Sequence, residues 1–147
     1  MDISVRKAVT SDIDVLTSML AGLFMIEDDF KIDSSKQGAA LELIINGTGA
    51  VFVAETSCGI SGMVNIQKII STAAGGYSVL LEDLYVRPEF RGAGIGRMLV
   101  DRAVQWGREQ HAVRIQLASD MRNKNATAFY SGIGFEMSNM VFQYMHI

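Results

Sequence analysis

Three glycines alternate with other residues just past the middle of the chain, in the segment Arg91-Gly92-Ala93-Gly94-Ile95-Gly96-Arg97. Glycine has no Cβ, so a ligand can approach the backbone of such a loop closely. The apolar spacing that follows predicts a helix starting here, and a helix start presents unpaired N–H groups with about half a positive charge. Arg87, Arg91 and Arg97 add charge around it. We therefore predict an anion site that suits phosphate oxygens.

The spacing of these glycines excludes two common phosphate-binding loops. A dinucleotide-binding loop would read Gly-x-Gly-x-x-Gly near the first strand, with an acidic residue about twenty positions later. A P-loop would need Gly-Lys-Ser/Thr, which the segment lacks. Two alternatives stay open: a glycine-rich loop with no ligand, and a nucleotide-binding oxidoreductase or methyltransferase that uses the turn for a different phosphate or sugar.

Local patterns predict the elements that position this loop. Alternation predicts strands, helical spacing predicts helices, and the short glycine-containing connections favour hairpins. The elements before the loop are a strand, two helices and three strands, over residues 3–9, 11–25, 34–45, 51–55, 60–70 and 77–86. After it come a helix of about four turns, a strand, a helix capped by Asn123 and a closing strand, the two strands over 113–118 and 141–146. The order indicates an α/β protein with a mixed sheet and helices packed on it.

Length, composition and charge limit the classes of protein to which this chain can belong. A length of 147 residues suits one domain over 1–147, and a net charge of −3 argues against a nucleic-acid partner. Cys58 is the only cysteine, so an intrachain disulfide is excluded. The N-terminus lacks the apolar region of a signal peptide and no 18-residue apolar run exists, so we expect no membrane contact and a cytoplasmic protein. His111 and His146 have no spaced partners, so we expect no metal.

Two separate motifs resemble those of the GNAT acetyltransferases. The glycine segment is similar to that family's Arg/Gln-x-x-Gly-x-Gly/Ala motif, and Leu84-Tyr85-Val86 is similar to the end of the strand before it. Downstream residues resemble its Asn-x-x-Ala-x-x-Leu/Phe-Tyr-x-x-x-Gly-Phe element: Asn123, Ala126, Phe129, Tyr130, Gly134 and Phe135. The resemblance implies the GNAT acyl-CoA N-acyltransferase fold, a mixed six- to seven-stranded sheet flanked by about four helices. It also implies acetyl-CoA as co-substrate.

The resemblance assigns cofactor contacts residue by residue. It implies that the backbone of Leu84 and Val86 pairs with the pantetheine arm like an added strand, and that N–H groups of the glycine segment hold the pyrophosphate. It also implies that Asn123 touches the cofactor. The full predicted cofactor set is Leu84, Tyr85, Val86, Arg91, Gly92, Ala93, Gly94, Ile95, Gly96, Arg97 and Asn123.

Acyl transfer to an amine requires removal of a proton. An alkylammonium pKa near 10.4 makes the free amine cost about 4–5 kcal/mol at pH 7. Strict alternation would place Glu82, Leu84 and Val86 on one face of their strand, where the thioester would lie, unless a bulge changes the phase. We therefore predict Glu82 as the base, directly or through water; alternatively it orders the strand end or binds the substrate cation. Asp83 would project to the opposite face and is the second choice.

The departing thiolate needs an acid, and Tyr130 matches the tyrosine that the family uses. Its hydroxyl can serve this role, or the ring can be a core aromatic with a buried hydroxyl partner. Glu27 and Asp28 end the first helix against the macrodipole, which hints at a substrate cation site, although a solvated acidic loop is the alternative.

The predicted function is an N-acetyltransferase acting on the primary amine of a small molecule by direct attack in a ternary complex. A homodimer is expected from the resemblance. The alternative is a non-catalytic acyl-CoA-binding sensor or assembly domain of the same fold.

Overall fold

A five-stranded mixed sheet organises the larger of two units in this computed structural model, which describes residues 2–147. That unit runs to Leu117, and the second comprises Ala118–Ile147. The strands lie side by side in chain order: β1 Ser4–Lys7, β2 Ala50–Thr56, β3 Gly59–Ser71, β4 Gly76–Val86 and β5 Arg114–Leu117. Neighbouring strands are antiparallel, except that β4 and β5 are parallel. The predicted single domain over 1–147 stays a prediction.

Three helices belong to the first unit: α1 Ile13–Phe24, α2 Ser34–Ile45 and α3 Ile95–Glu109. The helix α2 begins where the sequence predicts it, because the Asp33 carboxylate accepts a 3.1 Å hydrogen bond from the Lys36 N–H. The fourth helix, α4 Lys124–Gly132, lies in the second unit. None of the helices within residues 2–147 is both long and apolar enough to cross a membrane.

The helices of the first unit cover opposite faces of the sheet. Met63 belongs to the core cluster formed by residues of α1, α2 and the sheet. Its neighbour Gly62 faces α3, since a Cβ there would lie 3.0 Å from Ile95 and 3.1 Å from Leu99. Successive strand residues point to opposite faces. One face is therefore covered by α1 and α2, and the other by α3.

The predicted α/β class and mixed sheet are confirmed, but the sheet has five strands rather than six to seven. The closing strand predicted over 141–146 is not formed, and those residues pair with no strand in the described part of the chain. Alternation in a sequence can supply the side-chain pattern of a strand, whereas the strand itself also requires a hydrogen-bonding neighbour.

A bulge interrupts β4 near its end. The Cα pairs that flank it are Asn65↔Glu82 and Met63↔Tyr85. Two residues of β4, Asp83 and Leu84, therefore stand against Val64 alone. Asp83 has φ 51°, in the left-handed region that aspartate tolerates better than most residues.

The bulge changes which residues share a face. Directly opposite residues lie on the same face, so Glu82 and Tyr85 both lie on the face covered by α1 and α2. Val86 lies opposite Gly62 and therefore on the face of α3. Glu82 and Val86 therefore do not share one face, because the bulge, the exception that the prediction allowed for, shifts the alternation by one position.

Candidate active site

A cavity of about 340 Å³ opens between α1, α2 and the bulged part of the sheet. Its helical wall is mainly apolar and consists of Leu20, Phe24, Gln37, Ala40, Leu41, Leu43 and Ile44. The sheet contributes four polar side chains, Asn65, Gln67, Glu82 and Asp83. Two carboxylates beside an apolar wall form a site suited to a cation.

Both carboxylates line the same cavity, so the prediction that Asp83 projects away from Glu82 is wrong. The bulge is the cause. The side-chain amide of Asn65 donates a hydrogen bond to the Asp83 carboxylate. Burial and, less strongly, the neighbouring charge of Glu82 raise the pKa of Asp83, the hydrogen bond from Asn65 opposes both, and the net result is a pKa of about 6.

Asn65 is a site residue that the sequence analysis missed. It is 2% exposed, and its Oδ1 has no hydrogen-bond partner anywhere in residues 2–147. The available signal was an asparagine in the middle of a long apolar strand, between Val64 and Ile66. A buried amide there requires partners, because an unpaired buried polar group costs free energy.

A second depression, of about 530 Å³, lies between α1 and α2 and contains no residue of the sheet. Its volume is larger than that of the first, but the β4 carboxylates and Asn65 are absent from its lining. We therefore assign the candidate site to the smaller cavity, where the chemistry-bearing side chains meet.

The glycine turn leads into α3 as predicted. Gly92 and Gly94 have φ 80° and 81°, which side-chain-bearing residues adopt only with strain. The Met98 N–H donates to the Gly94 carbonyl at 3.1 Å, so the N–H groups before it lack an intrahelical acceptor. A Cβ at Gly92 or Gly94 would meet no atom within 4 Å. This open turn with free amides fits phosphate oxygens.

Two of the three arginines predicted around the turn, Arg91 and Arg97, have different surroundings. Arg91 ties the turn to β4: its Nε donates to the Val86 carbonyl at 3.0 Å, and its guanidinium lies 5.6 Å from the Tyr85 ring centroid. Arg97 pairs with Asp101 at 3.0 Å on the surface of α3. Because Asp101 offsets that charge, the cofactor contact predicted for Arg97 would be made by its backbone N–H.

One edge of β4 is open beside the cavity. The ladder with β5 ends at the pair Leu81 and Leu117. The Arg87 N–H bonds to Ser61 on β3 at 2.9 Å, so the backbone groups of Val86 point the other way, towards the open edge. Leu84 lies two residues earlier, in the bulge that ends the regular pairing of β4 with β3. An extended ligand can add to such an edge like a strand.

The second unit holds the other two predicted site residues. Asn123 caps α4, since its Oδ1 accepts a 3.1 Å hydrogen bond from the Ala126 N–H. The ring of Tyr130 lies edge-on to two neighbours, with centroids 5.2 Å from Phe129 and 5.5 Å from Phe135. Their roles as cofactor contact and acid stay predictions.

Glu27 and Asp28 follow α1, where the Glu27 N–H bonds to the Leu23 carbonyl at 3.0 Å. Neither is among the residues that line the candidate cavity. Within residues 2–147, no cluster of three or more His, Cys, Asp or Glu side chains is arranged to hold a metal ion.

Known proteins resemble this chain in sequence and in fold. An uncharacterized N-acetyltransferase of Methanocaldococcus jannaschii is 30% identical over 97 residues, which are 66% of this chain and 38% of that protein. Thialysine N-epsilon-acetyltransferase of Caenorhabditis elegans is 36% identical over 75 residues, 51% of this chain and 46% of that protein. The chain thus spans less than half the length of these curated relatives.

The fold also matches that of an enzyme solved in complex with a bisubstrate analog. Aminoglycoside N-acetyltransferase AAC(6')-Iy, in complex with the bisubstrate analog CoA-S-monomethyl-acetylneamine, superposes with a TM-score of 0.86 at 17% identity, covering 100% of this chain and 99% of that one. The family model described as "Acetyltransferase (GNAT) family" matches residues 21–135. The chain therefore belongs to the GNAT acetyltransferase family.

Proposed function

We propose that this protein is an N-acetyltransferase that transfers the acetyl group of acetyl-CoA to the primary amine of a small molecule. One observation carries the proposal: the bulge places two carboxylates in one apolar-walled cavity, directly before the open edge of β4. A cation site thus adjoins a place where an extended acyl carrier can add to the sheet.

Acetyl-CoA would bind along β4 and the glycine turn. The open edge at Leu84 and Val86 suits the amides of the pantetheine arm, and the free N–H groups from Gly92 to Arg97 suit the pyrophosphate. AAC(6')-Iy was solved with an analog that contains CoA, which supports the same co-substrate for this family member. Asn123 is proposed as a further contact on the strength of the motif alone.

The carboxylate pair would bind the acceptor ammonium and take its proton. The pKa of Asp83, about 6, lies about two units closer to the pKa of an alkylammonium than the pKa of an ordinary aspartate does. This smaller difference lowers the cost of proton transfer by about 3 kcal/mol. Glu82 lies beside it in the chain and lines the same cavity. We propose that the two act together, Glu82 holding the cation and Asp83 accepting the proton, directly or through water.

The acyl transfer itself needs no covalent enzyme intermediate. The amine nitrogen attacks the thioester carbonyl, the N–C bond forms, and the C–S bond breaks. The acceptor ammonium loses one proton to the carboxylate pair before the attack and a second proton as the amide forms. The departing thiolate takes the phenolic proton of Tyr130, and the second proton from the nitrogen restores the phenol through solvent. Much of the rate would come from holding both substrates in a ternary complex.

A CoA-release assay tests the proposal. Acetyl-CoA is offered with a panel of aliphatic amines, amino acids, polyamines and aminoglycosides, and turnover is expected for at least one class. The Glu82→Gln, Asp83→Asn double variant should lose turnover by about 10²–10⁴-fold, whereas Glu42→Gln, on the exposed side of α2, should not. Tight acetyl-CoA binding without turnover on any amine would favour the sensor or assembly domain instead. The homodimer and the cytoplasmic location stay predictions from the sequence.

A further inference from the structure

The buried side chain of Asn65 makes one hydrogen bond, and that bond goes to the proposed base. Asn65 is 2% exposed and lies between Val64 and Ile66. Its Nδ2 donates to Oδ2 of Asp83, whereas its Oδ1 is closed to solvent and has no partner within residues 2–147. An unpaired buried acceptor costs free energy that an aliphatic side chain would avoid. A polar residue that is costly at its position in the fold is typical of a functional site.

The bulge creates the need for an anchor on Asp83. Two residues of β4, Asp83 and Leu84, stand against one residue of β3, so regular strand pairing does not fix the direction of the Asp83 side chain. Asn65 flanks the bulge on β3, directly opposite Glu82. Its hydrogen bond is made to Oδ2 of Asp83, and Oδ1 of Asp83 has no hydrogen bond within residues 2–147. One carboxylate oxygen is therefore held by the sheet, and the other is free to act in the cavity that Asp83 lines.

We propose that Asn65 is a positioning residue of the transfer reaction: it anchors one oxygen of Asp83 so that the other oxygen receives the proton of the acceptor amine. This inference rests on the proposed function, and Asn65 itself touches neither substrate. The anchor also stabilises the charged form of Asp83, which is the form that can accept a proton. Within residues 2–147, no other group donates a hydrogen bond to this carboxylate.

The charges that face Asp83 give this one amide a large effect. Glu82 is the only other charged side chain in the described lining, because α1, α2 and β3 contribute apolar side chains and uncharged amides. Burial and the charge of Glu82 both raise the pKa of Asp83, and the hydrogen bond from Asn65 lowers it. A hydrogen bond to a charged group is strong enough that its loss should raise the pKa by a further one to two pH units, approximately.

The test is the pH dependence of kcat/KM from pH 5 to pH 9, measured with the fastest amine of the CoA-release panel. Asn65→Leu keeps the branched shape of the side chain and removes the donor. Its inflection should shift from near pH 6 to about pH 7–8, so kcat/KM at pH 6.5 should fall by roughly 3- to 25-fold and should partly recover at pH 9. A merely structural role would lower activity equally at every pH. Ser78→Ala is the matched control, because Ser78 is fully buried and its hydroxyl donates to the Arg114 carbonyl, so its inflection should stay near pH 6.

A double-mutant cycle tests whether Asn65 acts through Asp83. In the Asp83→Asn background, Asn65→Leu should change kcat/KM by less than about twofold, because the group that Asn65 positions is already absent. A further loss of about tenfold or more, or an inflection that stays near pH 6 in a folded Asn65→Leu protein, overturns this inference and leaves the proposed function standing. No CoA release by the wild type with any amine of the panel overturns both. If Asn65→Leu does not fold, Asn65→Val, a smaller residue that suits a strand, makes the same comparison.

Discussion

The side-chain amide of Asn65 donates a hydrogen bond to the carboxylate of Asp83 at the point where β4 bulges. A hydrogen bond to a carboxylate stabilises its charged form, whereas burial destabilises it, and at Asp83 burial prevails. The amide therefore holds in place a carboxyl group whose charge changes near pH 6. The titration of this carboxyl group should make both activity and stability depend on pH.

The first concerns activity. We expect kcat/KM for the acceptor to show an inflection near pH 6, falling on the acidic side, because protonated Asp83 cannot accept a proton. Asp83→Asn should remove that inflection and lower kcat/KM at pH 7.5 by about 10²–10⁴-fold. The measurement is a pH–rate profile of both proteins, with Glu42→Gln as the control. An inflection near pH 6 that survives in Asp83→Asn would assign it to another group.

The second concerns stability. The pKa of Asp83 is raised from 3.8 to about 6 on folding, so between these values the native state binds a proton that the unfolded state does not. The free energy of unfolding should therefore fall as the pH rises through this window. Asparagine tolerates the φ of 51° at this position and can still accept from Asn65.

Asp83→Asn should consequently be more stable than the wild type above pH 6, by up to about 3 kcal/mol, with a difference that shrinks towards pH 4. Urea denaturation at pH 4 and pH 8 measures both ends of the window. A variant that is less stable than the wild type at pH 8 would show that the carboxylate stabilises the fold and that its hydrogen bond from Asn65 outweighs the cost of its burial.

The glycine turn allows a matched pair of substitutions. Gly94→Ala should destabilise the protein by about 1–2 kcal/mol, because φ 81° is strained for alanine, and should weaken acetyl-CoA binding by displacing the turn amides. Gly76→Ala is the control: a Cβ there also meets no atom within 4 Å, and Gly76 is not among the residues with positive φ. Isothermal titration with acetyl-CoA, together with thermal unfolding, separates the two effects. Equal affinities in the two variants would argue against the turn as the phosphate site.

Ligand choice gives a further prediction. Acetyl-CoA at 100 times its Kd should stabilise the protein by about 2.7 kcal/mol, whereas NAD and S-adenosylmethionine should leave the melting temperature unchanged. The same comparison on Arg91→Ala, which loses the contact from the turn to Val86, should show a smaller shift with acetyl-CoA. Stabilisation by NAD or S-adenosylmethionine alone would instead support the oxidoreductase or methyltransferase alternative.

Local signals in the sequence were sufficient to predict most of the strands and helices. The helix predicted over 34–45 is observed as Ser34–Ile45, and the helix predicted from the apolar spacing after the glycines is observed as Ile95–Glu109. These elements follow from neighbouring residues, such as the cap at Asp33 and the positive φ at Gly94. The closing strand over 141–146 could not be decided this way, because its formation depends on a pairing partner elsewhere.

The candidate site was harder to predict because a single inserted residue reorganises it. Alternation assumes a period of two, and the bulge at Asp83 breaks that period at the two carboxylates. The sequence therefore indicated Glu82 as a site residue but placed Asp83 on the wrong face. Asn65 is 17 residues upstream of Glu82, and only the β3–β4 register brings the two opposite each other.

The last prediction concerns the proposed acid. Tyr130→Phe should keep the edge-on ring packing against Phe129 and Phe135, because only the hydroxyl is removed. If the phenol protonates the departing thiolate, kcat should fall by about 10²–10⁴-fold while the KM for acetyl-CoA changes little. Stopped-flow CoA release under single-turnover conditions measures the chemical step directly. Ala128→Ser, a small change in the same helix, is the control for altered packing. Unchanged single-turnover rates in Tyr130→Phe would assign thiolate protonation to solvent or to another group.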